Sequence, residues 1–196
     1  MGANNAKLED KPINIVSRKT WGAKAPFHED PISLPVSLVV FMATQDFKFP
    51  LEDKKASYKA LRELQQFHMY QRYMPDIQYN FMIDENGTIY EGRGWFRKPS
   101  HNPGDITANL NSIYIGYVGE IAEDGPSDDM MISGNDLIGY GMKREYIRYH
   151  HHIKGLITGI VGTTLEDCIR RKKSDPSDSE GEGPKEALPM EQFYVM

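Results

Sequence analysis

The run Asp76-Ile77-Gln78-Tyr79-Asn80-Phe81-Met82-Ile83-Asp84-Glu85-Asn86-Gly87-Thr88-Ile89-Tyr90-Glu91-Gly92-Arg93-Gly94-Trp95 decides the fold. Two strand-like segments, Tyr79–Ile83 and Thr88–Glu91, flank the pair Asn86-Gly87. That pair predicts a type I′ hairpin turn, whose two central residues both need a positive φ. Asn86-Gly87-Thr88 is also a formal glycosylation sequon. The turn is the stronger reading, because strand-like residues press on it from both sides.

Working outward, helical spacing over about Asp53 to Tyr73 places Tyr58, Leu61, Leu64 and His68 on one face. Further upstream, Val36-Ser37-Leu38-Val39-Val40-Phe41-Met42 is a continuous, largely β-branched run, the pattern of a strand covered on both faces. Downstream, Ser112–Val118 predicts a second buried strand and Asp129–Lys143 a helix weakened by Gly134, Gly139 and Gly141. Tyr146–Tyr149 reads as a short strand, and Thr164–Lys172 as a closing helix with Thr163 or Thr164 near its N-cap. Strands alternating with helices predict an α/β domain: a single mixed β-sheet flanked by about three helices.

The chain has 196 residues, enough for one well-cored domain with tails. We place a flexible N-terminus at 1–12, the domain at 13–173 and a disordered acidic tail at 174–196, whose Ser, Asp, Glu, Gly and Pro cannot support a core. That tail holds six acids and one base, so it carries the whole formal charge of −5, and residues 1–173 are neutral with 22 of each sign. A neutral body offers no electrostatic footprint for nucleic acid. Mean hydropathy of −0.57 and a longest apolar run of only Pro35–Ala43 exclude membrane insertion within this chain. Met1–Ala6 lacks the apolar stretch of a signal peptide. Cys168 is the sole cysteine, which excludes an internal disulfide and favours a cytoplasmic setting, with an extracellular or ectodomain setting as the alternative. His150-His151-His152 can capture a divalent metal weakly, but an exposed cluster without a function is the plainer reading.

The stretch quoted above, preceded by Phe67-His68-Met69 and by Ile15-Val16-Ser17-Arg18-Lys19-Thr20-Trp21-Gly22-Ala23, resembles the peptidoglycan recognition protein family. The Ser112–Gly119 strand fits the same pattern, and the match covers about residues 13–170. The family shares its fold with zinc-dependent N-acetylmuramoyl-L-alanine amidases. Amidase members hold zinc with two histidines and a cysteine, leaving one position open for water. The resemblance puts the first histidine immediately before Thr44, where this chain has Ala43, and the second at His151. The cysteine position falls near Val161, within Thr158–Leu165, which contains no cysteine. It therefore implies a degenerate, non-catalytic member with no metal and no cofactor.

The resemblance also implies a cleft for a muramyl peptide lined by Thr44, His68, Arg72, Tyr79, Arg93, Trp95, His101 and His151. A short acidic peptide needs hydrogen bonds from His, Tyr and Thr and a cation for its carboxylates. His68 and Arg72 are four apart, so an α-helix would project both from one face. Arg93 stands where family members that read diaminopimelic acid carry the arginine gripping its extra carboxylate. Tyr73-Met74 match neither the Gly-Trp associated with diaminopimelic-type stems nor the Asn-Phe associated with lysine-type stems. The partners implied are a peptidoglycan fragment and a homologous recognition receptor, and the role that of sensor, decoy or modulator in innate immune signalling. Alternatives are a regulator of immune receptors with no glycan ligand and, ranked below it, an active amidase.

Overall fold

The computed structural model describes residues 13–44, 48–100, 111–122 and 125–156. The expectations for residues 1–12, His101, the region near Val161, the helix Thr164–Lys172, Cys168 and the acidic tail lie outside the described residues. Six strands form one mixed sheet: β1 (Ile15–Val16), β2 (Val36–Thr44), β3 (Phe81–Ile83), β4 (Ile89–Glu91), β5 (Ser112–Val118) and β6 (Ile147–Leu156). Their spatial order is β1-β4-β3-β5-β2-β6. Only the β3–β4 pair is antiparallel; β1–β4, β3–β5, β5–β2 and β2–β6 are parallel. The helices α1 (Arg18–Trp21), α2 (Lys54–Gln66) and α3 (Asp128–Lys143) complete the described elements. This is the expected single mixed sheet with about three helices.

Each face of the sheet carries its own core. On one side Ala60, Leu61 and Leu64 of α2 join Trp21, Val40, Tyr79, Met82, Tyr90, Tyr114 and Val118. On the other side Met130, Met131, Leu137 and Ile138 of α3 pack on Val39, Phe41, Phe81, Ile113, Ile115 and Tyr117. β2 and β5 feed both cores because successive side chains alternate between faces, which is why both read as unbroken apolar runs.

Local chemistry sets the helix ends. The Asp53 carboxylate accepts from Lys55 N–H at 2.9 Å and caps α2. Ser127 Oγ accepts from Met130 N–H at 3.2 Å and caps α3, with Asp128 and Asp129 in the first turn favoured by the helix dipole. Two of the three α3 glycines that weaken the helix on propensity have packing reasons: a Cβ at Gly134 would meet Tyr117 Oη at 2.8 Å, and one at Gly141 would meet Ile147 Cδ1 at 2.7 Å, whereas Gly139 faces open space. They let the helix lie close to the sheet.

Two sequence expectations are corrected. The hairpin does not make a two-residue type I′ turn. Gly87 takes the left-handed φ, 75°, in a three-residue loop whose Gly87 N–H donates to Asp84 O at 2.8 Å and whose Asp84 N–H donates to Thr88 O at 3.1 Å. The Asp84 carboxylate decides this: its Oδ1 accepts from the N–H groups of Asn86 and Thr88, and its Oδ2 from the Tyr90 hydroxyl. Strand β6 is also longer than Tyr146–Tyr149, running through the three histidines to Leu156. It forms one edge of the sheet, so it needs no continuous apolar signal.

Candidate functional site

Helix α2 does not stop at Gln66. It widens into a π-turn, Phe67–Gln71, in which Arg72 N–H donates back to Phe67 O at 3.1 Å. Single π-turns concentrate at functional sites, because they re-aim side chains that an α-helix would stack. His68 is 4% exposed, while Arg72 is exposed with its guanidinium 5.3 Å over the Phe67 ring. The Arg72 charge acts on both His68 and Tyr79.

The imidazole of His68 is held in one protonation state and one tautomer. Burial, then the Arg72 charge, push its pKa down to about 4 against an opposing pull from Asp76, so the ring is neutral at pH 7. Its Nδ1 accepts from Gln78 N–H at 3.2 Å, which puts the ring proton on Nε2 and makes that nitrogen a donor. Tyr79 meets the ring edge-on at 5.7 Å between centroids. Burial raises the Tyr79 pKa, with a small opposing pull from Arg72, so its phenol is protonated. The Tyr79 ring lies flat on β5: a Cβ on Gly116 would stand 2.9 Å from two of its carbons. Glycine at 116 is thus what lets the tyrosine pack onto the sheet.

Asp76 fixes the approach to this pair. Its carboxylate, 1% exposed, is 2.9 Å from Arg18 Nη1 and accepts from Gln65 Nε2 at 2.6 Å and Ile77 N–H at 2.7 Å. Arg18 in turn donates to Gly92 O, tying the Ser17-Arg18 opening to the end of the hairpin. The recurrent opening motif therefore serves as a structural clamp.

At the end of β2 the alternation decides which side chain shares a face with His68. Val40 and Met42 pack on the α2 side, and Gln78 Nε2 lies 3.7 Å from Met42 Sδ. Phe41 belongs to the α3 side, and Ala43 follows it there, paired across the ladder with Tyr117. Thr44 returns to the α2 side, its hydroxyl donating to Tyr117 O at 3.0 Å. The inward position is therefore Met42, and Ala43 looks the other way.

Two of the expected lining residues, Trp95 and His151, fall on the α3 side, and Arg93 is buried. Trp95 is in the α3-side core against Phe81 at 4.6 Å, Tyr146 at 5.2 Å and Tyr140 at 6.2 Å. Arg93 is 1% exposed, with its Nε donating to Lys98 O and its Nη1 without a hydrogen-bond partner among the described residues. Burial lowers the Arg93 pKa; Asp76 pulls it up, Arg18 down, Asp30 up and Arg97 down. His152 pairs with Leu38 and Ile153 with Val39, so alternation puts His151 on the α3 side. Leu38 precedes Met42 by four residues, so the histidines are set back roughly 13 Å along the sheet. His151 Nδ1 lies 3.0 Å from Arg148 O of its own strand. His101 lies outside the described residues.

Thus His68, Tyr79 and Thr44 share one face, Arg72 stands at its rim, and Trp95 and His151 do not join them. Sequence reasoning missed Met42 and Gln78. Counting alternation back from Thr44 exposes Met42; nothing in the sequence marks the Gln78 N–H as the group that sets the His68 tautomer.

Zinc does not suit this donor set. The strand end supplies a Met42 thioether on the α2 side and an Ala43 methyl on the α3 side, and His151, also on the α3 side, is set back along the sheet from Ala43. Among the described residues no three His, Cys, Asp or Glu side chains converge as a metal site.

A family described as N-acetylmuramoyl-L-alanine amidase matches residues 34–178. Peptidoglycan-recognition protein 1 of Holotrichia diomphalia is 34% identical over 124 residues, covering 63% of this chain and 60% of that protein. Peptidoglycan-recognition protein LE of Drosophila melanogaster is 32% identical over 142 residues, covering 72% of this chain and 40% of that protein. The match to both falls short of two thirds of their length. Among solved structures, peptidoglycan recognition protein-LE in complex with tracheal cytotoxin, a monomeric diaminopimelic acid-type peptidoglycan, superposes with a TM-score of 0.64 at 30% identity. That superposition covers 73% of this chain and 80% of the other.

Proposed function

This chain belongs to the peptidoglycan recognition protein family, and from that premise we propose that its domain, residues 13–173, binds a muramyl peptide without hydrolysing it. The single observation that supports the reading is a neutral, Nε2-protonated His68 on the cleft face, together with an alanine, Ala43, at the strand-end position that the resemblance assigns to a metal ligand. Such a face can donate hydrogen bonds from His68 and Tyr79 and offer the Arg72 charge to a stem carboxylate. It has no means of acidifying a water. The fold is that of an amidase; the chemistry retained is recognition.

The preferred ligand is diaminopimelic-type. Arg93 supports this, since its Nη1 has no partner among the described residues and an extra carboxylate would satisfy it. The relative captured with tracheal cytotoxin supports it as well. The role is that of a sensor, decoy or modulator in innate immune signalling. The lone cysteine supports a cytoplasmic setting; no described helix is long and apolar enough to cross a membrane. One related structure is the ectodomain of a transmembrane receptor, which keeps an anchored form as the alternative.

Calorimetric titration with diaminopimelic-type and lysine-type muropeptides, with Arg93→Ala in parallel, tests the reading. Selective binding of the first ligand, lost in the variant, and no release of stem peptide from either, is the expected result. Release of peptide would refute the non-catalytic assignment. A second reading, a regulator that engages a homologous receptor without glycan, is favoured by the burial of Arg93 at 1% exposure. Folded protein that takes up neither muropeptide would establish it over the first.

A further inference from the structure

Strand β6 ends the spatial order of the sheet, so among the described residues no strand pairs with its outer edge. It is 10 residues long, about 33 Å at roughly 3.3 Å per residue, and alternate N–H and C=O groups along it point away from β2. An open edge of that length is a template for another strand, and edges are commonly blunted by charge. Arg148, His150, His152 and Lys154 are exposed along it. Blunting alone does not account for the apolar surface beside them. The register sets His152 opposite Leu38, half-buried on the α2 side, and Ile153, itself half-buried on the α3 side, opposite Val39. Both faces of the sheet thus run out at β6 into incompletely covered apolar groups. The charge is one-sided as well: Lys143, Arg144, Arg148 and Lys154 stand against Glu145, a balance of +3 over 143–156 with the histidines neutral, whereas 174–196 carries −5.

We propose that the outer edge of β6 is a docking site for the chain's own C-terminal segment, Gln192-Phe193-Tyr194-Val195-Met196, which adds to the sheet as a further strand and is steered there by the acidic stretch before it. The segment has the composition of a strand, aromatic and β-branched. Its alternation sends Phe193 and Val195 to one face and Tyr194 and Met196 to the other, so it brings apolar groups to both of the half-covered faces. Reach is no obstacle. Residues 174–191 alone extend to about 60 Å, nearly twice the length of β6. A second copy of β6 is the poorer occupant, because it would set these bases against themselves across the new pair. The acidic tail builds no core of its own; it completes one that the sheet leaves open, by main-chain hydrogen bonds of the kind that hold added strands elsewhere.

The test is hydrogen exchange read by mass spectrometry on the full chain, with β5, residues 112–118, as the internal reference. Two variants alter the tail alone, so neither threatens the fold. Tyr194→Pro combined with Val195→Pro removes two adjacent N–H groups; neighbours in a strand point to opposite sides, so one of the two always faces β6. Replacing every Asp and Glu of 174–196 by its amide removes the steering charge. In the unaltered chain 147–156 and 192–196 should both be protected. Each variant should speed exchange in both segments about tenfold and leave 112–118 unchanged. Exchange at 147–156 that fails to move in even one of the two variants overturns the proposal. Protection that rises with protein concentration overturns it too, because it assigns the edge to a second copy instead of the chain's own tail.

Discussion

Replacing Tyr73 by glycine should stabilise the protein, although it deletes a large aromatic side chain. Tyr73 follows Arg72, the residue that caps the widened segment, and occupies the position where a helix commonly closes on a left-handed glycine. The closure is seen in the bond from Met74 N–H to His68 O, and φ at Tyr73 is 55°. A residue bearing a Cβ gives up roughly 1–2 kcal/mol in that conformation. Glycine removes that cost but returns about 0.5–1 kcal/mol as extra freedom of the unfolded chain. The ring, 91% exposed, contributes almost no burial to set against the change. The net expectation is a gain of about 0.5–1 kcal/mol, a rise in Tm of roughly 2–3 °C for a chain of this size. Asparagine, whose short polar side chain bonds the local backbone in the left-handed region, should recover part of that gain, while alanine, with a Cβ and no such bond, should give none. Urea titration at constant m-value and scanning calorimetry measure all three. Glycine and alanine variants that shift alike, or a glycine variant that loses stability, would refute the argument that the turn is strained.

Two further outcomes follow from the cleft. His68, with a folded pKa of about 4 against 6.5 unfolded, binds its proton less readily in the native state. Stability therefore falls as pH drops from about 6.5 to 4, by about 3 kcal/mol over the whole window, and is flat in this group above it. In His68→Gln that loss should be absent, read as the difference between wild-type and variant urea stabilities at pH 7.5 and 4.5; equal losses in both proteins would contradict the buried neutral ring. Gly116→Ala should push the Tyr79 ring off the sheet, since the new Cβ would stand 2.9 Å from it. It should destabilise by about 1–3 kcal/mol and weaken muropeptide binding, whereas a variant of unchanged stability and affinity would remove Tyr79 from the cleft.

What was legible in the sequence follows from how many constraints acted on each segment. β2 and β5 are covered on both faces, so every residue reports burial and the apolar runs stand out. Helix α2 carries a one-sided stripe from Ala60 to Leu64, and its 3.6-residue period gave it away, but period alone cannot show the π-turn that follows Gln66. The hairpin was found and its turn type misjudged, because Asn86-Gly87 speaks for φ while the Asp84 carboxylate, two residues earlier, competes for the same amide groups. The sides taken by Arg93 and Trp95 could not be counted from β4. Gly92 and Gly94 N–H both donate to Asn80 O, so two residues oppose one and the alternation is broken there. β6 escaped full detection because an edge strand needs little apolar surface, and the register slip between Val36 and Leu38 set its histidines away from the strand end.

The same alternation bears on how a catalytic scaffold can become a recognition scaffold. In a strand the period is two, so a functional atom at the end of β2 is delivered to one face or the other with no intermediate choice. Met42 and Thr44 go to the face shared with His68 and Tyr79, and Ala43 goes to the side of Tyr117. The Met42 thioether lies against Gln78 at the end of β2, and the sheet keeps both cores. The hydrogen-bonding half of the site is anchored independently, through Gln78 N–H on His68 and through Asp76 on Arg18 and Gln65. The positions that the resemblance assigns to a metal lie on β2 and β6, whereas His68 and its partners rest on the π-turn and the approach to β3, so the two sets of side chains are held by different elements and a change in one need not strain the other.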